Sequence, residues 1–207
     1  MKIGVPKEIK PQENRIGLTP DSVKTLTSSG HEVLVQSDGG FEAGFDDNQY
    51  KSAGAKIVDK AEDIFNDAEI IVKVKEPLSN EVKMLRENQI VFTYLHLAAA
   101  KELTKGLVDS KAVCIAYETV TDNNGRLPLL APMSAVAGRM SVQAGAHCLE
   151  KNQKGRGLLL GGAPGVDGGT VVILGGGVVG ENAAVIATGM QAKVCLLYTS
   201  DAADDLR

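Results

Sequence analysis

The sequence predicts an α/β fold of two doubly wound, parallel-sheet domains, the second truncated. Three observations carry that expectation. Short runs rich in Val, Ile and Leu alternate with segments of helical spacing, the order in which parallel strands are joined by crossover helices. Composition agrees: 43% of the residues are hydrophobic, only 4% are aromatic and 23 are glycine, so the core is aliphatic and the turns are many. Finally, the run Val171–Leu174 feeds a glycine turn, with too little chain after it to finish a second sheet.

Each element can be justified in order. The first strand is read at Lys2–Val5. Thr19-Pro20-Asp21 opens the first helix, with Thr19 as N-cap and Pro20 in the first turn, where its missing N–H is no loss; Gly30 stops it. Strands follow at His31–Gln36, Ala55–Val58, Glu69–Val74, Ile90–Leu95 and Ala112–Ala116, with capped amphipathic stretches between them. Ser79 is placed to cap a helix running to Glu87, and Ala98–Asp109 carries Leu103 and Leu107 at helical spacing. Leu127–Pro132, with two prolines, breaks the alternation and precedes a long small-residue helix from Ser134 to Lys151. The flexible stretch Gly161–Gly169 delivers the chain to Val171–Leu174, and a helix-like segment runs from Glu181 to Met190. The expected organisation is a first domain over residues 1–130, an interdomain helix over 131–151, and the start of a second domain over 152–207, with an atypical tail from 195 to 207.

The formal net charge of −4 argues against a nucleic-acid partner. No apolar stretch reaches the roughly 20 residues needed to span a bilayer, and the N-terminus is charged too early to read as a signal peptide. Cys114, Cys148 and Cys195 are odd in number and widely spaced, with no CxxC pair. They read as small buried hydrophobes in a reducing compartment, which implies a cytoplasmic location and no metal site.

The glycine turn carries the first chemical signal. Gly175-Gly176-Gly177-Val178-Val179-Gly180 lies between a buried-strand pattern and a helix pattern, the context a dinucleotide pyrophosphate needs. Gly175 permits the turn, Gly177 lets the backbone approach the phosphates, and Gly180 lets the helix pack on the strand. The helix N-terminus then offers free N–H groups and a partial positive charge to the anion.

The second signal comes from topology. In a parallel α/β sheet, ligands bind beyond the carboxyl ends of the strands. Arg15 follows the first strand, Lys75 follows Glu69–Val74, and His96 follows Ile90–Leu95, so all three can reach one rim. Arg matches a carboxylate with its planar fork, Lys can hydrogen-bond that carboxylate or polarise a carbonyl oxygen, and His can pass protons near neutrality. An oxo-acid or amino-acid ligand fits such a set. Taken singly, each has a plainer reading: a solvated surface cation, or a histidine capping a nearby carbonyl. Lys73 and Lys75 alternate along one strand, so one of them can simply face solvent. Glu8, Glu13 and Glu118 are either partners of the cations or surface acids, while His31 and His147 read as structural.

At these residues the chain resembles the N-terminal part of the alanine dehydrogenases. The matching stretches are Met1–Ile9 (MKIGVPKEI), Glu13–Pro20 (ENRIGLTP), Ile71–Pro77 (IVKVKEP), Phe92–Ala98 (FTYLHLA), Ala116–Val120 (AYETV), Leu127–Glu150 and Val172–Gly180 (VILGGGVVG), in order over residues 1–194. The resemblance implies NAD-dependent interconversion of L-alanine and water with pyruvate and ammonium. It implies that Arg15 and Lys75 hold the substrate carboxylate and oxygen, that His96 acts in proton transfer, and that Ser134, Val178 and Val179 touch the cofactor. Residues 1–130 would then form a Rossmann-like substrate domain, and residues from 152 the start of a Rossmann-like NAD-binding domain. A homohexamer is also implied.

Two other readings stand beside it. The nucleotide-binding subunit of a proton-pumping transhydrogenase shares the fold and the glycine turn, but it lacks a histidine at the place of His96 and carries an Arg-Ala-Gln loop where this chain has Pro128–Pro132. A non-catalytic fragment is the other. The pattern departs from the family after Val194: the strand Cys195–Tyr198 ends in Tyr198, where an acid should meet the adenosine ribose, and Asp201 falls beyond the strand end. The chain as written is therefore expected not to catalyse hydride transfer, and to expose apolar surface at Val171–Leu174 and Val185–Met190.

Overall fold

The computed structural model describes residues 1–197, and the chain divides into two compact units, Met1–Thr121 and Asp122–Arg207. In the first unit the order is β1 (Lys2–Val5), α1 (Pro20–Ser28), β2 (Glu32–Gln36), α2 (Asp47–Ser52), β3 (Lys56–Val58), α3 (Ala61–Asp67), β4 (Ile70–Val72), α4 (Ser79–Val82), β5 (Ile90–Thr93), α5 (Lys101–Ser110) and β6 (Val113–Ala116). The second unit contains α6 (Ala131–Cys148), β7 (Thr170–Leu174), α7 (Val178–Gly189) and β8 (Lys193–Leu197).

The six strands of the first unit form one parallel sheet in the order β3-β2-β1-β4-β5-β6. The chain builds outward from β1 to β3, returns through α3 to the other side of β1, and builds outward again to β6. β1 and β4 are therefore neighbours whose connections depart in opposite directions, which opens a crevice at their carboxyl ends.

Side-chain alternation assigns the two faces. Ile3, Val5, Val33, Val35 and Val72 pack with Val23 of α1 and Tyr50 of α2. Leu34, Ile71 and Val91 meet Ile64 and Phe65 of α3 and Leu107 of α5. Both faces of the central strands are buried, which explains their unbroken Val/Ile composition. The edge strand β6 differs: Cys114 and Ala116 pack inward, whereas Val113 and Ile115 are exposed.

Thr19 caps α1 through its side-chain oxygen, with Pro20 in the first turn, as its sequence predicts. Asp46 and Gln49 form a reciprocal capping box on α2. Ser79 does not act as a cap. It is the first residue of α4, and the helix ends at Val82 rather than Glu87, because Met84 and Leu85 tighten into i→i+3 bonds that draw Leu85 into the core. α6 begins three residues before Ser134, since Pro132 sits within its first turn instead of preceding it.

In the second unit, β7 and β8 pair in parallel. α6 and α7 pack with them around Val142, Leu160, Ile173, Ala183 and Ala187. Val172, Leu174, Val185 and Met190 are exposed. Tyr198 and Asp201, which bear on the ribose-binding acid, lie outside the described residues. Among the described residues, no helix is long and apolar enough to cross a membrane.

Gly4 marks the tightest approach of α3 to the sheet: a Cβ there would lie 2.5 Å from Ile64 Cγ2 and 2.8 Å from Ala68 Cβ. Gly4→Ala should therefore destabilise the first unit by about 1–3 kcal/mol through overpacking, read as a lower urea midpoint at unchanged slope.

Candidate functional site

The crevice between β1 and β4 is organised around a buried lysine. Lys73, one residue past β4, is 0% exposed. Its ammonium donates to Glu8 Oε2 at 3.1 Å and to Glu81 Oε1 at 2.8 Å. The other oxygens are also used: Glu8 Oε1 accepts the N–H groups of Val74 at 2.6 Å and Lys75 at 3.2 Å, and Glu81 Oε2 accepts that of Leu78 at 2.8 Å. A buried charge is tolerated only when it is paired and fully hydrogen-bonded, and all four carboxylate oxygens here meet a donor. The consequence is positional. Glu8, from the loop after β1, grips the peptide groups that lead into Lys75, and Thr93 Oγ1 of β5 donates to the Lys75 carbonyl at 2.9 Å.

Arg15, Lys75 and His96 are connected through their neighbours. Glu13 accepts from Arg15 Nε at 2.8 Å and Nη2 at 2.6 Å in a forked pair. The Arg15 guanidinium holds the Glu13 carboxyl below the usual carboxylate range, and the charge of Lys75 acts in the same direction. Glu13 in turn raises the Arg15 pKa, with smaller contributions from Tyr94 and Glu8. The Tyr94 ring is stacked on His96, with centroids 6.3 Å apart and planes 22° from parallel. Burial pushes the Tyr94 hydroxyl up, and Arg15 partly opposes it. Arg15 and Lys75 thus share Glu13 as a neighbour, and His96 joins them through the Tyr94 ring.

His96 itself adopts a left-handed backbone, φ 50° and ψ 39°, a conformation that costs a residue with a Cβ about 1–2 kcal/mol. Glu118, just past β6, accepts the His96 N–H at 2.8 Å and the Leu95 N–H at 3.1 Å. Burial opposes charge on Glu118, but the N–H groups of His96 and Leu95 outweigh it and hold the carboxyl below the usual range. Tyr117 closes the group edge-on to Phe92 and Tyr94, at 4.3 Å and 4.9 Å.

The second unit presents a different kind of site. A cleft of about 650 Å³ is lined by α6 residues including Ser134 and by Gly175, Gly177, Val178, Val179 and Gly180. Gly175 has φ 95°, which a side chain would resist, and a Cβ on Gly180 would strike the Gly175 carbonyl oxygen. α7 starts directly at Val178, with Gly177 as N-cap and no side chain hydrogen-bonded there. The space beside Gly177 is open, so an anion can approach the first-turn N–H groups. These residues fit the pyrophosphate of a dinucleotide.

His31 lies just before β2, 3.4 Å from the N-terminal amine, and His147 of α6 lies 3.3 Å from Glu150, just past that helix; both contacts are local. Lys73 was not legible as the centre of an ion network, nor Glu81 as its second acid. One signal existed: a lysine in an apolar strand buried on both faces demands a carboxylate partner. Among the described residues, no group of three His, Cys, Asp or Glu side chains could hold a metal ion.

Known proteins resemble this chain over most of its length. The family model described as Alanine dehydrogenase/PNT, N-terminal domain, matches residues 4–137, and its C-terminal counterpart matches residues 141–205. An alanine dehydrogenase of Halomonas elongata is 57% identical over 200 residues, covering 97% of this chain and 54% of the relative. One from Methanococcus maripaludis is 53% identical over 197 residues, covering 95% and 53%. The chain spans about half the length of the curated relatives it matches. A solved L-alanine dehydrogenase superposes with a TM-score of 0.88 at 50% identity, covering 100% of this chain and 63% of the other. A transhydrogenase from Sinorhizobium meliloti gives 0.81 at 24% identity, covering 99% and 61%, a likeness of fold.

Lys73→Met would leave two buried carboxylates facing each other without their cation, and should cost about 3–5 kcal/mol, measured by urea unfolding. The Glu13–Arg15 pair makes a pH-dependent contribution. Because Glu13 is lowered from its ordinary 4.5, its contribution is complete above that value and is lost as the pH falls through the lowered one. Glu13→Gln should flatten the acid limb of the melting temperature against pH and leave the curve above pH ~6 parallel to that of the unsubstituted chain.

Proposed function

We propose that this chain, which belongs to the alanine dehydrogenase/PNT family, forms the substrate-binding unit and the pyrophosphate-binding turn of an NAD-dependent alanine dehydrogenase. The reaction is the reversible conversion of L-alanine, NAD and water to pyruvate, ammonium, NADH and a proton. What supports this reading is that Arg15, Lys75 and His96 lie in the segments after β1, β4 and β5, that Arg15 and Lys75 both act on Glu13, and that Tyr94 is acted on by Arg15 and stacks on His96.

Arg15 and Lys75 provide two cations for a small 2-oxo acid, one suited to a carboxylate and one to the oxygen on C2. A cation at that oxygen draws electron density from the carbonyl carbon and favours attack by ammonia in the reductive direction. His96 is the group that accepts or returns a proton as that carbon changes hybridisation. Gly175, Gly177, Val178, Val179 and Gly180 would hold the cofactor's pyrophosphate, with Ser134 on the same cleft. When bound there, the nicotinamide supplies the hydride acceptor for the alanine α carbon. The family resemblance also favours a homohexamer in the cytoplasm.

Calorimetric titration of the chain with pyruvate and with NADH tests this. Pyruvate should bind, and the Arg15→Ala, His96→Ala double variant should weaken it by at least about 100-fold, the loss of a charged and a neutral contact. Gly180→Ala should disturb the turn and weaken NADH while leaving pyruvate binding unchanged. Pyruvate affinity that survives the double variant would remove the assigned site.

A further inference from the structure

Resting on the site proposed above, the geometry points to Glu118 as a positioning residue for His96: its carboxylate clamps the successive N–H groups of Leu95 and His96, and so holds the left-handed turn that carries the imidazole to the rim.

Left-handed backbone is sparsely populated by residues with a Cβ and persists where the surroundings enforce it. His96 begins no long helix that could enforce it. Only a single 3-10 turn follows, Leu97–Ala99, and no side chain caps it. The enforcement comes instead from the next strand. β5 and β6 pair in register up to Thr93 and Ala116, so the segment after β6 runs beside the segment after β5. Glu118, within the 3-10 turn Tyr117–Thr119, uses that adjacency. Its Oε1 takes the His96 N–H at 2.8 Å and the Leu95 N–H at 3.1 Å, and its Oε2 lies 3.3 Å from the Leu95 nitrogen.

The same arrangement occurs after the neighbouring strand, β4. Glu8 takes the N–H groups of Val74 and Lys75, so Lys75 and His96 each sit on a peptide held by a carboxylate from another segment. Leu95 adds a fixed point, since its side chain is 1% exposed and anchored in the core. With Leu95 anchored and His96 clamped, the direction in which the ring leaves the backbone is set, and Tyr94 stacks on it from one side.

The test uses the 207-residue chain, amide hydrogen exchange and calorimetry with pyruvate. Glu118→Ala should speed exchange at the Leu95 and His96 amides by about tenfold or more, with the β1 and β2 amides unchanged as the sign of an intact fold. It should weaken pyruvate about tenfold. Glu118→Gln keeps an acceptor oxygen and should restore most of that affinity. Glu118→Asp keeps the charge but withdraws it by a methylene, and should behave like Ala; should Ala fail to fold, Asp carries the test. In a His96→Ala background, Glu118→Ala should cost less than about twofold, because its effect passes through the ring. An equal loss in both backgrounds, an Asp variant equal to the unsubstituted chain, or unchanged exchange at the two amides would overturn the proposal. Absence of pyruvate binding by the unsubstituted chain would overturn the site on which it rests, an outcome that the exchange rates distinguish from failure of the clamp.

Discussion

The structure depends on one buried ammonium. Lys73 lies out of reach of water, and it can remain there because Glu8 and Glu81 surround it and because Val74, Lys75 and Leu78 satisfy the carboxylate oxygens it does not use. Desolvating three charges is expensive and a hydrophobic triad would be easier to bury. What the ionic version adds is geometry. It ties the loop after β1, the peptide after β4 and the start of α4 to a single point, which is the point where the strand order reverses. Loops in that position would otherwise be the most mobile part of the unit. The rim is therefore attached to the core through directed bonds as well as through packing.

On the proposed reading, the two units would recognise negative charge by different means. The first would rely on side-chain cations, Arg15, which Glu13 holds in a forked pair, and Lys75, whose backbone N–H Glu8 accepts. The second would rely on backbone N–H groups at the start of α7, with Gly175 and Gly180 leaving out side chains that would stand in the way. Side-chain cations suit a small, planar carboxylate that must be oriented at a reacting carbon. Backbone dipoles suit a diphosphate, which needs a broad electropositive cradle and no reaction of its own.

Much of this was legible in the sequence, for identifiable reasons. Parallel strands buried on both faces leave unbroken Val/Ile runs, and the glycine spacing at Gly175–Gly180 admits few structures once a strand pattern precedes it. The rim proposed for Arg15, Lys75 and His96 rests on where the strands end. What was not legible depends on contacts between distant segments. Lys73 and Lys75 look equivalent along the chain, yet the first is sealed in the core while the second lies at the crevice. Ser79 has the chemistry of a cap but stands one residue too late, because Glu81 is committed to Lys73 and to the Leu78 N–H. Nothing local marks Glu118 as the partner of His96, since the pairing of β5 with β6 brings them together.

The aromatic group at the rim has an optical consequence. The chain contains no Trp and four Tyr. Its near-ultraviolet emission therefore comes from tyrosine alone, with no indole to drain it by energy transfer. Tyr94 stacks on His96 and stands edge-on to Tyr117, so two of the four emitters lie within the binding neighbourhood, while Tyr50 is sealed in the core with its hydroxyl bonded to the Leu18 carbonyl. A ligand at the proposed rim would change the polarity and proton-accepting groups around the first two and leave the surroundings of the third unchanged. On the proposed reading, the molecule would thus carry its own unlabelled fluorescence gauge of ligand arrival.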